Sequence, residues 1–239
     1  MEWGFISILL FGLLLGFKHA IEPDHVIAVS TIASQSRRWW RAALAGVYWG
    51  IGHTLTLLLV GVTLLLLKQE IPAGWQMSLE FAVGIMLVAL GANSLYAYRR
   101  GGVHVHEHQH DGTVHRHFHS HREGELHEHR HARRFFYIKS MLIGFVHGLA
   151  GSGAMLLLTM ETVESAGQAA AYISVFGVGT VFGMLLCSTA IGLPFLLSSA
   201  KPAAQRRLTS VTGAVSTLFG VYYMYDLGVT QGLFRLWLS

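Results

Sequence analysis

Within a strongly apolar N-terminal stretch stands His19-Ala20-Ile21-Glu22-Pro23-Asp24-His25, a run with two imidazoles and two carboxylates. Imidazole nitrogen with carboxylate oxygen, and no thiolate, is a donor set for exchangeable first-row divalent cations. Each ionisable residue inside a membrane span costs from about 2.5 kcal/mol upward, and such residues mark ion or substrate paths. On a straight helix His19 and His25 would point about 120° apart, too far to share one ion. Pro23 lacks an N–H, and its ring collides with the carbonyl four residues back, that of His19. A break there frees the carbonyl and lets His19, Asp24 and His25 converge on a metal. Glu22 belongs to the pathway or supports the site, and Lys18 is expected to pair with Glu22 at i,i+4.

Two further histidines fall in apolar runs. His53 follows Gly50 and Gly52, which thin their helix and admit a close neighbour; it serves as a ligand or as support for another imidazole. His147 precedes a glycine-rich stretch where Ser152 or freed carbonyls could touch an ion in passing. Thr54 and Thr180 are expected to bond their own helix backbones, and the scattered methionines to fill the core.

The elements that position these residues are helical and span a membrane. Of 239 residues 52 % are hydrophobic and 13 % charged, with a mean hydropathy of +0.46. Soluble domains carry about 25 % charge, so a soluble enzyme is excluded. The lack of alternating ten-residue segments argues for helices rather than an outer-membrane barrel. The single cysteine, Cys187, removes disulfide frameworks and thiolate metal sites. The net charge of +4 reflects membrane orientation, not nucleic acid.

Apolar runs predict six spans near 4–33, 41–67, 76–98, 136–160, 166–198 and 207–228. The first is long enough, at roughly 45 Å if straight, to require a break or a tilt in a core of about 30 Å. Arg37, Arg38, Arg41, eight basic residues from Arg99 to Lys139, and Lys201, Arg206 and Arg207 share one side. Glu2, Glu70, Glu80, Glu161, Glu164 and Asp226 dominate the other. The positive-inside rule then puts both termini outside and the long connection in the cytoplasm. Trp3, Trp39, Trp40, Trp75, Tyr98, Tyr137 and Trp237 fall near span ends, as interfacial anchors do.

The two halves echo each other. Gly16 and His19 match Gly144 and His147 at an offset of 128, Gly50 and Gly52 match Gly177 and Gly179 at 127, and Gly84 and Gly91 match Gly213 and Gly220 at 129. Three helices per half insert with opposite orientation, the inverted repeat of secondary transporters. The expected architecture is all-α: a first three-helix repeat over 1–98, a cytoplasmic loop over 99–135 and a second repeat over 136–239, with helix one broken near Pro23.

The loop holds His104, His106, His108, His110, His115, His117, His119, His121, His127, His129 and His131. It shows no apolar periodicity and is not expected to fold on its own, and its spacing reads as irregular rather than as a tag. Besides joining the repeats, such a tract gathers Ni, Zn, Co or Cu at the cytoplasmic mouth.

His19-x4-Asp24-His25 resembles the signature of the nickel/cobalt transporter family and the related urease-accessory-type nickel permeases, with Glu22 where many members carry an aspartate. Gly52-His53-Thr54 is similar to that family's second histidine motif, and His147-Gly148-Leu149-Ala150-Gly151-Ser152-Gly153 to a run in its shorter relatives. The resemblance implies a polytopic inner-membrane transporter for Ni(II) or Co(II), with His19, Asp24, His25 and His53 in the permeation site. The transported ion is then the only metal required, the bilayer and a cytosolic metal-accepting protein are the expected partners, and the oligomeric state is left open. A double charge gains about 4.6 kcal/mol per 100 mV on moving inward, which favours uptake. Efflux would need proton exchange, and an oxyanion exporter shares the layout but not the carboxylates. No zincin motif, Ser–Lys dyad or nucleotide loop supports an enzyme.

Overall fold

The computed structural model describes residues 2–34, 38–67, 71–99, 104–110, 113–119, 136–150, 165–198 and 201–238. Its helices are α1 (Glu2–His19), α2 (Pro23–Ala33), α3 (Trp39–Leu67), α4 (Ala73–Arg99), α5 (Phe136–Ala150), α6 (Ala166–Leu197), α7 (Pro202–Tyr225) and α8 (Leu233–Leu238). A π-helical turn, Asp226–Thr230, follows α7, and strands β1 (His104–His110) and β2 (Thr113–His119) stand between α4 and α5. Apart from that hairpin, the described residues form a helical membrane protein.

Among the described residues α3, α4 over Ala73–Tyr96, and α6 are long and apolar enough to cross a bilayer. Helices α1 and α2 together make a fourth candidate, bent by 56° between them. The break expected at Pro23 is therefore present. Two other expected spans differ from their sequence outline. The described part of α5 stops at Ala150, and the rest of 136–160 lies outside the described residues. Helix α7 starts at Pro202, five residues before the expected 207, and carries polar Ser216 and Thr217 against α4, which lowers its apolar average. Ser216 Oγ is buried and donates to the Leu87 carbonyl at 2.8 Å. The short α8, absent from the sequence outline, folds back on α4 through Phe234 and Trp237, whose rings meet Phe81.

Glycine permits the closest helix contacts. Gly16 of α1 lies against the Phe176 carbonyl of α6, and Gly144 of α5 against the Trp49 carbonyl of α3. Gly179 faces the Leu13 carbonyl, and Gly52 that of Met141. A methyl on Gly84 would stand 3.3 Å from the Gly220 oxygen, and one on Gly220 2.8 Å from that of Gly84. Without hydrophobic pressure between helices in lipid, such close backbone approach supplies the packing energy. Pairwise contacts α3·α6, α4·α7 and α1·α6 build the frame, and α2 wedges between α3, α4, α6 and α7.

The histidine-rich loop departs from expectation. β1 and β2 pair antiparallel with His104 opposite His119, His106 opposite His117, His108 opposite His115 and His110 opposite Thr113. The spacing read as irregular is a strict alternation on either side of Asp111-Gly112, a dipeptide that favours two-residue hairpin turns. The signal is period two in histidine rather than in apolar residues, so a search for apolar periodicity passes over it. His121, His127, His129 and His131 lie outside the described residues.

Candidate functional site

The break between α1 and α2 builds the site. The last α-helical bond of α1 runs from Ala20 N–H to the Gly16 carbonyl at 3.1 Å. The chain then tightens, Ile21 N–H reaching Lys18 O at 3.0 Å and Glu22 N–H reaching His19 O at 3.1 Å. The His19 carbonyl is thus occupied by Glu22 and not freed as expected, because the turn supplies a replacement donor for the one Pro23 lacks. Glu22 is extended, at φ −62° and ψ 147°, as a residue before proline must be, and Pro23 opens α2 where a missing N–H costs nothing. Asp24 occupies the first turn of α2, where its charge offsets the positive end of the helix. The opposing end of α1 presents its negative pole beside His19, favourable to a cation.

All four histidines outside the loop meet here. Ring centroids of His19 and His25 are 4.4 Å apart, those of His25 and His147 4.4 Å, and those of His19 and His53 5.1 Å. The predicted convergence of His19 with His25 across the break is therefore realised, and His53 from α3 and His147 from α5 complete the cluster. His25, His53 and His147 are buried, Asp24 is 22 % exposed and Glu22 46 % exposed, so accessibility rises from the imidazoles towards Glu22.

Two carboxylates orient the rings. His19 Nδ1 meets Glu22 Oε2 at 2.8 Å, and His25 Nδ1 meets Asp24 Oδ1 at 3.0 Å. The second Asp24 oxygen accepts from His147 Nε2 at 2.8 Å. The pairing expected between Lys18 and Glu22 gives way to His19, which the turn carries to Glu22 at i,i+3. When a histidine donates one N–H to a carboxylate, its other nitrogen presents a lone pair whose basicity the carboxylate raises. His25 Nε2, buried, has no hydrogen-bond partner among the described residues, and His19 Nε2 stands 3.2 Å from His53 Nε2.

Two overlapping groups of ligand atoms result, each with all atoms within 4.8 Å of one another: His19, His25 and His53, and Asp24, His25 and His147. His25 belongs to both. Three imidazoles suit nickel, cobalt, copper or zinc, and one carboxylate beside two imidazoles suits the same ions with less softness. Ser152 lies outside the described residues.

Trp49, which the sequence does not single out, walls the cluster. Its indole is fully buried and stacks on His53 with centroids 5.0 Å apart and planes 11° from parallel. It also meets His25 edge-on at 4.7 Å and His147 at 5.1 Å. A tryptophan in mid-span and one helical turn before a histidine, unlike the tryptophans at span ends, was the available signal. The threonines divide: Thr180 Oγ1 donates to Phe176 O at 3.1 Å within its own helix and to Gly16 O at 3.2 Å. Thr54 reaches Gly177 O on the facing helix at 3.4 Å instead of its own backbone.

Residues 5–209 match the family model described as NicO, high-affinity nickel-transport protein. The chain is 50 % identical over 233 residues to the urease accessory protein UreH of Bacillus sp. (strain TB-90), covering 98 % of this chain and 97 % of that protein. No solved structure matches it significantly.

Proposed function

The chain belongs to the NicO family of high-affinity nickel-transport proteins, and from that premise we propose how it moves the ion. Ni(II) rests in mid-membrane on the lone pairs of His19, His25 and His53, with Glu22 and Asp24 orienting the first two rings. Asp24 and His147 offer an adjoining position that shares His25, so the ion passes between two incomplete shells instead of falling into one deep trap. Conduction needs binding strong enough to strip water and weak enough to release. The convergence of every histidine outside the loop on the break at Pro23 carries this reading.

The recurrence of backbone contacts supports an inverted repeat as the moving machinery. The contact of Gly16 with Phe176 recurs as Gly144 with Trp49, and Gly179 with Leu13 recurs as Gly52 with Met141, at offsets of 127 or 128. Alternating access would rock one half against the other about the site. In this reading both termini face outside, the loop is cytoplasmic, and the membrane potential drives uptake. The loop histidines gather arriving nickel, and the hairpin register supports this by placing seven of them at alternating positions of one face. A cytosolic protein serving a nickel enzyme would receive the ion, in keeping with the urease accessory name of the UreH relative.

Uptake by proteoliposomes holding a nickel-sensitive dye tests the reading. Flux is expected to fall to background in His19→Ala and to drop sharply in Asp24→Asn; normal flux in both, with insertion intact, would overturn the site.

A further inference from the structure

One carboxylate outside the cluster also lies within the helix bundle. Glu80 sits on α4, seven residues from Ala73 and inside the apolar span. Its neighbours are uncharged: Gln76 Nε2 donates to Oε1 at 3.3 Å, and the Tyr223 side chain of α7 stands close to the same carboxyl group. Among the described residues no lysine, arginine or histidine pairs with it. A carboxylate held in a span without a counter-charge is costly, and one kept there is expected to have a task.

Its surroundings point to that task. Tyr223 stacks on Phe219, centroids 6.1 Å apart and planes 10° from parallel, which fixes the hydroxyl. The same ring joins a cluster with Ile27 and Ala28 of α2, one turn beyond Asp24. A carboxylate in a span with no basic side chain beside it offers a charge partner that a dication would satisfy. Carboxylate, amide and phenol oxygens are hard donors suited to a cation that still keeps part of its water; the imidazoles of the next station are softer.

We propose that Glu80, Gln76 and Tyr223 form an outer, oxygen-lined station that holds the hydrated divalent cation before it reaches the histidine cluster. The proposal rests on the orientation given above, in which the α4 start and the α7 end face outside. The ion waits there with Glu80 as its charge partner, sheds water in steps, and moves on towards Asp24 and His25.

The test is nickel uptake by proteoliposomes over a range of Ni(II) concentrations, with nickel X-ray absorption on the same variants in detergent. Glu80→Gln is expected to raise KM about tenfold, the worth of one charge-assisted contact, with the loss recovered at saturating nickel. Tyr223→Phe, which keeps the ring and its stacking, should raise KM less, and Glu80→Asp should keep most of the wild-type behaviour. The imidazole signature of bound nickel should survive in Glu80→Gln. An unchanged KM in Glu80→Gln and Tyr223→Phe, or a loss that saturating nickel does not recover, would overturn the station. A raised KM in Glu80→Gln beside normal flux in His19→Ala would uphold the station and sink the histidine site, so the two failures are distinguishable.

Discussion

His19 Nε2 and His53 Nε2, 34 residues apart in the chain, stand 3.2 Å from each other. With a proton between them that separation is a hydrogen bond. With none, it is the ligand-to-ligand edge of a metal shell, because metal–nitrogen distances of about 2.0–2.1 Å give edges of about 2.8–3.4 Å at octahedral to tetrahedral angles. One arrangement therefore accommodates a proton or a metal ion, but not both. The same alternative does not arise at Nδ1 of His19 and His25, which Glu22 and Asp24 occupy whether or not metal is present.

Nickel binding should therefore displace that proton, to His53 Nδ1 when the pair is neutral and to solvent when the pair is charged. Calorimetric titration of the purified protein in buffers of different ionisation enthalpy is expected to give a heat that varies with the buffer, and affinity should weaken as pH falls and imidazoles become protonated. Buffer-independent heats together with an affinity that does not change with pH would contradict the competition.

The orienting carboxylates predict a graded series. Removing an orienting partner costs about 10–100-fold in metal affinity, so Glu22→Gln and Asp24→Asn should each weaken nickel binding by about that factor. His53→Ala removes a donor outright and should weaken it more. Equilibrium dialysis against Ni(II), with the loop deleted to remove its background, measures the order.

Trp49 should matter to both stability and site. Trp49→Ala opens a large cavity beside three imidazoles and is expected to cost about 3–5 kcal/mol, with nickel affinity falling as the rings lose their wall. Trp49→Phe keeps an aromatic face and should retain most of both. Thermal unfolding in detergent, with and without nickel, separates the two effects.

Glycine contacts give a matched pair of variants on one helix. A methyl at Gly16 would collide with the Phe176 carbonyl, whereas one at Gly4 meets nothing within 4 Å. Gly16→Ala is expected to destabilise by about 1–3 kcal/mol, as overpacking does, and Gly4→Ala not at all or slightly the other way. Equal Tm values for the two would mean that the close α1–α6 crossing does not hold in the membrane.

Deleting 104–131 should leave nickel flux largely in place while lowering the amount of nickel each protein retains. Loss of flux with normal insertion would make the hairpin part of the path.

Much of this was legible in the sequence for identifiable reasons. Pro23 fixed the break, since no helix carries an interior proline through a run of ionisable residues without disturbance. The break then allowed His19 and His25 to converge. Apolar run length gave α3, α4 and α6 to within three residues at either end, because hydrocarbon thickness sets it. What escaped depended on partners brought together from afar. Glu22 could choose between Lys18 and His19 only once the turn geometry was known, and Thr54 found Gly177 across a helix crossing. The packing of Trp49 against three histidines needs α3 and α5 in register. The hairpin escaped because its alternation is carried by histidine, a residue that apolar pattern-seeking ignores.

X-ray absorption at the nickel edge, on protein lacking 104–131, tests the central claim most directly. The account predicts a nitrogen-rich shell with imidazole outer scattering that weakens in His19→Ala and in His53→Ala, together with reduced affinity. An unchanged spectrum and affinity in both variants, or no bound nickel once the loop is gone, would contradict it.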